Sequence, residues 1–158
     1  MEPNWETVTK DGWRHRENPE ELIQYFFQLT KDFPLSARAK FELANAYDYL
    51  GEEEKSIPYY EQAIRSGLSR EYESYAMLQL GSSLRNADRL QEAEKILADA
   101  EKKFPEMPSI SMFLSLVLFD MNRNDEALRT VLYAILKHPK SSDIERYKIA
   151  LEDYIREF

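Results

Sequence analysis

Two histidines are the side chains best suited to proton transfer near neutrality, and they stand far apart in this chain. His15 lies in a polar N-terminal stretch and His138 at the end of a helical pattern. A zinc-type pair needs a shared face, such as i, i+4 on one helix, and no such spacing occurs. His138 is instead placed to meet the exposed carbonyls of a helix C-terminus. There is no cysteine, which removes thiolate metal sites, disulfides and Cys–His nucleophiles together. Neither a glycine-rich phosphate loop nor a nucleophile elbow is present. Carboxylates are abundant, at 29 Asp plus Glu in 158 residues, so their pairing carries no diagnostic weight. The run Glu52-Glu53-Glu54 sits at a helix start, where negative charge complements the macrodipole. The residues therefore point away from an enzyme, and no metal or cofactor is expected.

The formal charge of −8 opposes binding to a phosphate backbone, which requires clustered cations, and no Lys/Arg run exceeds two. No apolar run approaches the roughly 20 residues of a membrane helix, and the N-terminus has no secretory apolar core. The expectation is a cytoplasmic protein that binds neither nucleic acid nor membrane.

The elements that position the remaining residues are helices. Glycine occurs four times, and Ala, Leu, Glu, Lys, Arg and Gln fill the periodic stretches. Three segments align without a gap: 41–68, 78–105 and 112–139. The last two are offset by 34 residues, and the first two by 37, which places a three-residue insertion in the loop near Gly67-Leu68-Ser69-Arg70. Three columns hold only small residues: Ala44, Gly81 and Ser115; Ser56, Ala93 and Ala127; Ala63, Ala100 and Ala134. Ala, Gly and Ser make up 29 of the 158 residues, so nine of nine by chance is on the order of 10⁻⁷. Close approach of antiparallel helices explains them, because a larger side chain would not fit at the crossing. Larger residues fill the columns between: Leu43, Leu80 and Leu114; Tyr47, Leu84 and Leu118; Tyr60, Leu97 and Val131. Turns fall at Leu50-Gly51, Ala87-Asp88 and Met121-Asn122, and the pairs end near Gly67, Pro105 and Pro139.

These small-residue columns, the Leu80-Gly81 pair, Tyr59-Tyr60 and the closing prolines resemble the tetratricopeptide repeat. The stretches IPYYEQAIRSGL and LQLGSSLRN are similar to the small bacterial proteins grouped as tetratrico peptide repeat family 5. The resemblance implies an all-α superhelical solenoid of three repeats and a protein or peptide partner. It also implies a homodimer as an alternative role. In such a solenoid the first helix of each pair lines the concave groove. That assigns Arg38, Phe41, Asn45, Asp48 and Tyr49 from the first repeat and Tyr75, Leu78, Ser82, Arg85 and Asn86 from the second. The site expected is thus Arg38, Phe41, Asn45, Tyr49, Tyr75, Leu78, Arg85 and Asn86. For Met112, Leu116 and Phe119 two readings stay open, groove lining or burial under the C-terminal helix. A carboxylate clamp is argued against. Asn45 matches its asparagine, but Phe41, Gln79, Ser109 and Phe113 stand where its other polar and basic residues belong, and charge-assisted bonds supply that affinity.

The chain divides into a polar N-terminal segment (1–17), expected to be partly disordered, a capping helix (18–34) and repeats at 35–68, 69–105 and 106–140. A final capping helix (141–158) starts with the capping box of Ser142 and Glu145. Its apolar face holds Ile144, Tyr147, Leu151, Tyr154 and Ile155. Asn18-Pro19-Glu20-Glu21 is the N-terminal cap's start signal. Pro58, early in a second helix, is a departure from the repeat pattern.

Overall fold

The computed structural model describes residues 2–138 and 140–156, without the side chains of residues 151, 152 and 155. Pro139 as the stop of the third pair, and Leu151 and Ile155 on the last apolar face, lie outside the described residues. All regular structure among the described residues is helical, in two compact units, Met1–Arg89 and Leu90–Phe158.

The first unit contains α1 (Trp5–Gly12), a 3₁₀ turn (Trp13–His15), α2 (Pro19–Asp32), α3 (Ala37–Tyr49), α4 (Glu53–Arg65) and α5 (Arg70–Asn86). Asn18 caps α2 as the sequence indicates, accepting from the Glu21 N–H, and Ser36 caps α3 by accepting from the Ala39 N–H. Gly51, at φ 70°, makes the left-handed turn between α3 and α4. Helices α2, α3, α4 and α5 pack in chain order. The small-residue columns behave as expected: Ala44, Ser56, Ala63 and Gly81 are all buried. Pro58 stands inside α4 on its exposed side. The carbonyl left without its N–H partner there can turn to water.

Two features of this unit depart from the sequence reading. Residues 5–15 are not a disordered polar tail. They fold back on α2, where the Tyr25 hydroxyl donates to the Val8 carbonyl at 3.0 Å and Gly12 is buried. A Cβ on Gly12 would lie 2.5 Å from the Phe26 ring, so only glycine allows this approach. Trp5 packs on Phe33, and Trp13 on Phe26 and Tyr49. Buried aromatic area offsets the polar composition of the stretch.

The second departure concerns the three inserted residues. They lengthen a helix instead of a loop, since α5 has 17 residues where α3 and α7 have 13. The extra turn brings in Tyr72, whose ring meets Phe41 edge-on at 5.5 Å.

The second unit contains α6 (Leu90–Lys103), α7 (Pro108–Asp120), α8 (Asn124–Lys137), α9 (Ser142–Arg146) and α10 (Lys148–Ile155). Helix α7 packs on α6 and α8, and Ala93, Ala100, Ser115, Ala127 and Ala134 are buried at the crossings. Asn122, at φ 61°, plays the turn role of Gly51. The expected C-terminal helix is two short ones. The cap is Ser141 and not Ser142, and its hydroxyl accepts from the Asp143 N–H. Asp143 in turn accepts from the Ser109 N–H at 2.8 Å, satisfying a donor at the start of α7. The break at Tyr147 has a packing reason. In one straight helix Tyr147 and Tyr154 would stand about 10 Å apart along the axis, whereas here both rings meet the single Phe113 ring.

Candidate functional site

The first helices of the repeats carry the expected site, and in the first unit these are α3 and α5. A polar network runs through the α3–α5 face. The Asn45 Oδ1 accepts from the Tyr60 hydroxyl at 2.8 Å and from the Gln79 amide at 3.0 Å. Asp48 accepts from the Ser83 hydroxyl on one oxygen and from the Tyr60 hydroxyl on the other, each at 3.0 Å. Ser56 of α4 meets Ser83 at 3.2 Å. Tyr60 thus shares its proton between Asn45 and Asp48, and the three helices are tied through one set of side chains.

Burial raises the Asp48 carboxyl to about 6, with the nearby Glu53 charge adding to the rise and the bonds from Ser83 and Tyr60 opposing it. At neutral pH the group is a carboxylate held by two hydroxyl donors. Its partners fit a structural and electrostatic role.

The eight expected residues divide by exposure. Tyr49 is 56% exposed, with the Trp13 ring edge-on to it at 5.4 Å. Asn86 is exposed and reaches Glu53. Arg38, Asn45, Tyr75 and Arg85 are half-buried. Arg38 pairs with the buried Glu42 and lies 3.6 Å over the Tyr72 ring, and the Tyr75 hydroxyl donates to Glu71.

Phe41 and Leu78 are corrections. They are 3% and 1% exposed and belong to the core, so neither is open to a partner. The reason for Phe41 is the extra turn of α5. Tyr72 covers it from one side while Tyr60 packs at 6.1 Å.

Sequence reading placed Asp48 on this face but did not find its partners, Ser83 and Tyr60, or the Gln79 bond to Asn45. Column equivalence gives no direct signal, because Gln79 follows Asn45 by 34 positions and Ser83 follows Asp48 by 35, two or three short of the 37 that relates these two repeats.

In the second unit Met112 and Leu116 are half-buried, and Phe119 is 42% exposed. Phe113 is covered by Tyr147 and Tyr154 of the C-terminal segment. His15 meets Glu21 at 3.0 Å within the N-terminal hairpin. Among the described residues, no group of three or more His, Cys, Asp or Glu is arranged to hold a metal ion. No helix among them is long and apolar enough to cross a membrane.

Antiparallel helix pairs with small residues at their crossings, turned by a left-handed residue, define an all-α helical-repeat protein. The family model described as tetratrico peptide repeat matches residues 37–158, and the chain belongs to that family. No curated protein matches it. Among solved structures, MamA superposes with a TM-score of 0.73 at 20% identity, covering 86% of this chain and 79% of MamA. TTC0263, a thermophilic TPR protein of Thermus thermophilus, gives 0.71 at 22% identity, covering 94% of this chain and 81% of its own. A chain of the APC/C hetero-tetramer Cut9–Hcn1 gives 0.72 at 19% identity, covering 89% of this chain and 27% of that one. At these identities the likeness is one of fold. That fold is the fold of a protein–protein interaction module.

Proposed function

We propose that the α3–α5 face binds a peptide or protein segment, through Asn45, Tyr49, Tyr75, Arg85 and Asn86, with Arg38 at its edge. Preorganisation of Asn45 carries the reading. Its Oδ1 is fixed by Tyr60 and Gln79, which leaves the amide N–H groups available to a ligand's backbone carbonyl. A donor that loses no rotamer freedom on binding contributes more to affinity than a mobile one. Beside it Tyr49 presents an exposed ring, and Tyr is a residue type that anchors interfaces. The ligand is an extended or helical segment with an apolar anchor and a few polar contacts, not a terminal carboxylate. The protein acts by binding in this reading and catalyses nothing.

Affinity purification from the native cell tests it, with Tyr49→Ala/Tyr75→Ala as control. Loss of the co-purifying protein by at least about tenfold, with the helical circular dichroism unchanged, is the expected result. Equal recovery by the double variant sinks the reading.

A second reading, self-association as a homodimer, is favoured by one separate observation. Leu128, Leu132, Ile135 and Leu136 of α8 are 59%, 49%, 47% and 76% exposed. Apolar residues gathered on one helix are a common mark of an interface.

A further inference from the structure

The network between α3, α4 and α5 holds two acceptors for one proton. Tyr60 is fully buried, and its hydroxyl lies 2.8 Å from the Asn45 Oδ1 and 3.0 Å from an Asp48 carboxylate oxygen. A phenol has a single O–H to donate. It can serve only one of these two acceptors at a time, and the charge on Asp48 decides which.

With Asp48 ionised the carboxylate takes the bond, because a charged acceptor holds a donor roughly twice as strongly as a neutral amide does. The Asn45 Oδ1 then faces the Tyr60 oxygen with no hydrogen between them, and the Gln79 amide alone still donates to it. That hold fixes orientation poorly. The Gln79 Oε1 is buried with no hydrogen-bond partner, so no bond on its far side keeps that amide from turning. With Asp48 protonated the order reverses. The carboxyl carries an O–H of its own and donates it to the Tyr60 oxygen, while the Tyr60 O–H points at Asn45. Asn45 then has two donors on its Oδ1, and its N–H groups are fixed toward the groove.

Resting on the groove reading, we infer that Tyr60 is a positioning residue that couples Asn45 to the charge of Asp48, so that the groove presents its amide donors most rigidly when Asp48 is protonated. A segment bound through a backbone carbonyl is therefore held more tightly as pH falls through the Asp48 midpoint, because less rotamer freedom is lost on binding. The groups that face Asp48 are Tyr60 and the Glu53 carboxylate from α4 and Ser83 from α5. Helix α2, also packed on α3, gives it no hydrogen-bonding or charged partner among the described residues. Burial places the midpoint at about 6, just below neutrality.

Nuclear magnetic resonance on the isotope-labelled full chain tests the coupling without a ligand. The Asp48 carboxyl carbon and the Asn45 side-chain amide are followed from about pH 4.5 to 7.5, with Asn45→Asp identifying the amide signal. The Asn45 signals should move at the Asp48 midpoint. Tyr60→Phe keeps the ring and removes the hydroxyl, so Asp48 still titrates there and the Asn45 amide should no longer follow. In Asp48→Asn an amide N–H replaces the carboxyl O–H, and the Asn45 signals should stay at their low-pH position throughout. Circular dichroism checks that both variants fold. An Asn45 amide that ignores the Asp48 titration, or follows it equally in Tyr60→Phe, overturns the inference and leaves the groove reading as it was. The native-cell purification, run at about pH 5.5 and 7.5, reads the consequence for binding. Recovery by the wild type should be at least about threefold higher at the lower pH, and equal at both for Asp48→Asn. Recovery that ignores pH in the wild type overturns the gating of binding. Coupling in the spectra with no co-purifying protein at either pH supports Tyr60 as the positioning residue and sinks the groove reading instead.

Discussion

Helices α3 and α7 hold equivalent places in their repeats and are built from opposite chemistry. Where α3 has Asn45 and Asp48, the same columns of α7 have Leu116 and Phe119. The first junction is fixed by directed bonds from Tyr60, Gln79 and Ser83. Around α7 order comes from packing, with Phe113, Leu114, Val117 and Leu118 buried. Hydrogen bonds to buried groups specify geometry at a small net gain in stability, while apolar burial stabilises without fixing direction. The two ends of the chain should therefore differ in what disturbs them.

The largest expected effect is on the apolar side. Phe113→Ala removes a ring that is 3% exposed and that both Tyr147 and Tyr154 pack on. A loss of about 3–5 kcal/mol is expected in urea denaturation, nearly independent of pH, with weakened protection of α9 in hydrogen exchange. A strong pH dependence of that loss would break the comparison.

Asp48→Asn gives the complementary test on the polar side. The folded state holds the Asp48 proton more tightly than the unfolded chain does, since burial lifts the carboxyl from 3.8 to about 6. The contribution is therefore full below the unfolded value and is lost as pH rises through the folded one. In the wild type this amounts to about 3 kcal/mol of stability lost between about pH 4 and 6, and Asp48→Asn should flatten the profile there. An unchanged profile refutes the account of Asp48. Asp143→Ala should act only on the second unit, costing about 1 kcal/mol through the lost bond to Ser109. The Ser109 amide should then exchange faster. The smallest effect is expected from Asn122→Gly, where φ is 61°. Relief of left-handed strain should raise the melting temperature by an amount equivalent to about 0.5 kcal/mol or less.

Much of the fold was legible because repetition multiplies weak signals. One Ala at a helix crossing means little, but nine small residues in three columns define the pairing. Capping at Asn18 was local chemistry and could be read directly. The N-terminal helix was missed because α1 is held by single contacts from Tyr25 and Phe26 that no periodicity announces. The insertion was misplaced because a gap in an alignment shows where residues are added, not whether they extend a helix. That one error propagated to the site: Tyr72 rides on the added turn and closes over Phe41. The place of Tyr49 on α3 followed from the columns, whereas the bonds that fix Asn45 join different helices and depend on geometry.

Both tryptophans of the chain, Trp5 and Trp13, belong to the N-terminal hairpin. Tryptophan emission therefore watches one corner of the protein, and the second unit, whose fluorophores are tyrosines, is silent when tryptophan alone is excited. Trp13 touches Tyr49, so its emission is a label-free gauge of that ring. A ligand settling on the α3–α5 face would announce itself in the spectrum, and unfolding confined to the last helices would leave the signal unmoved.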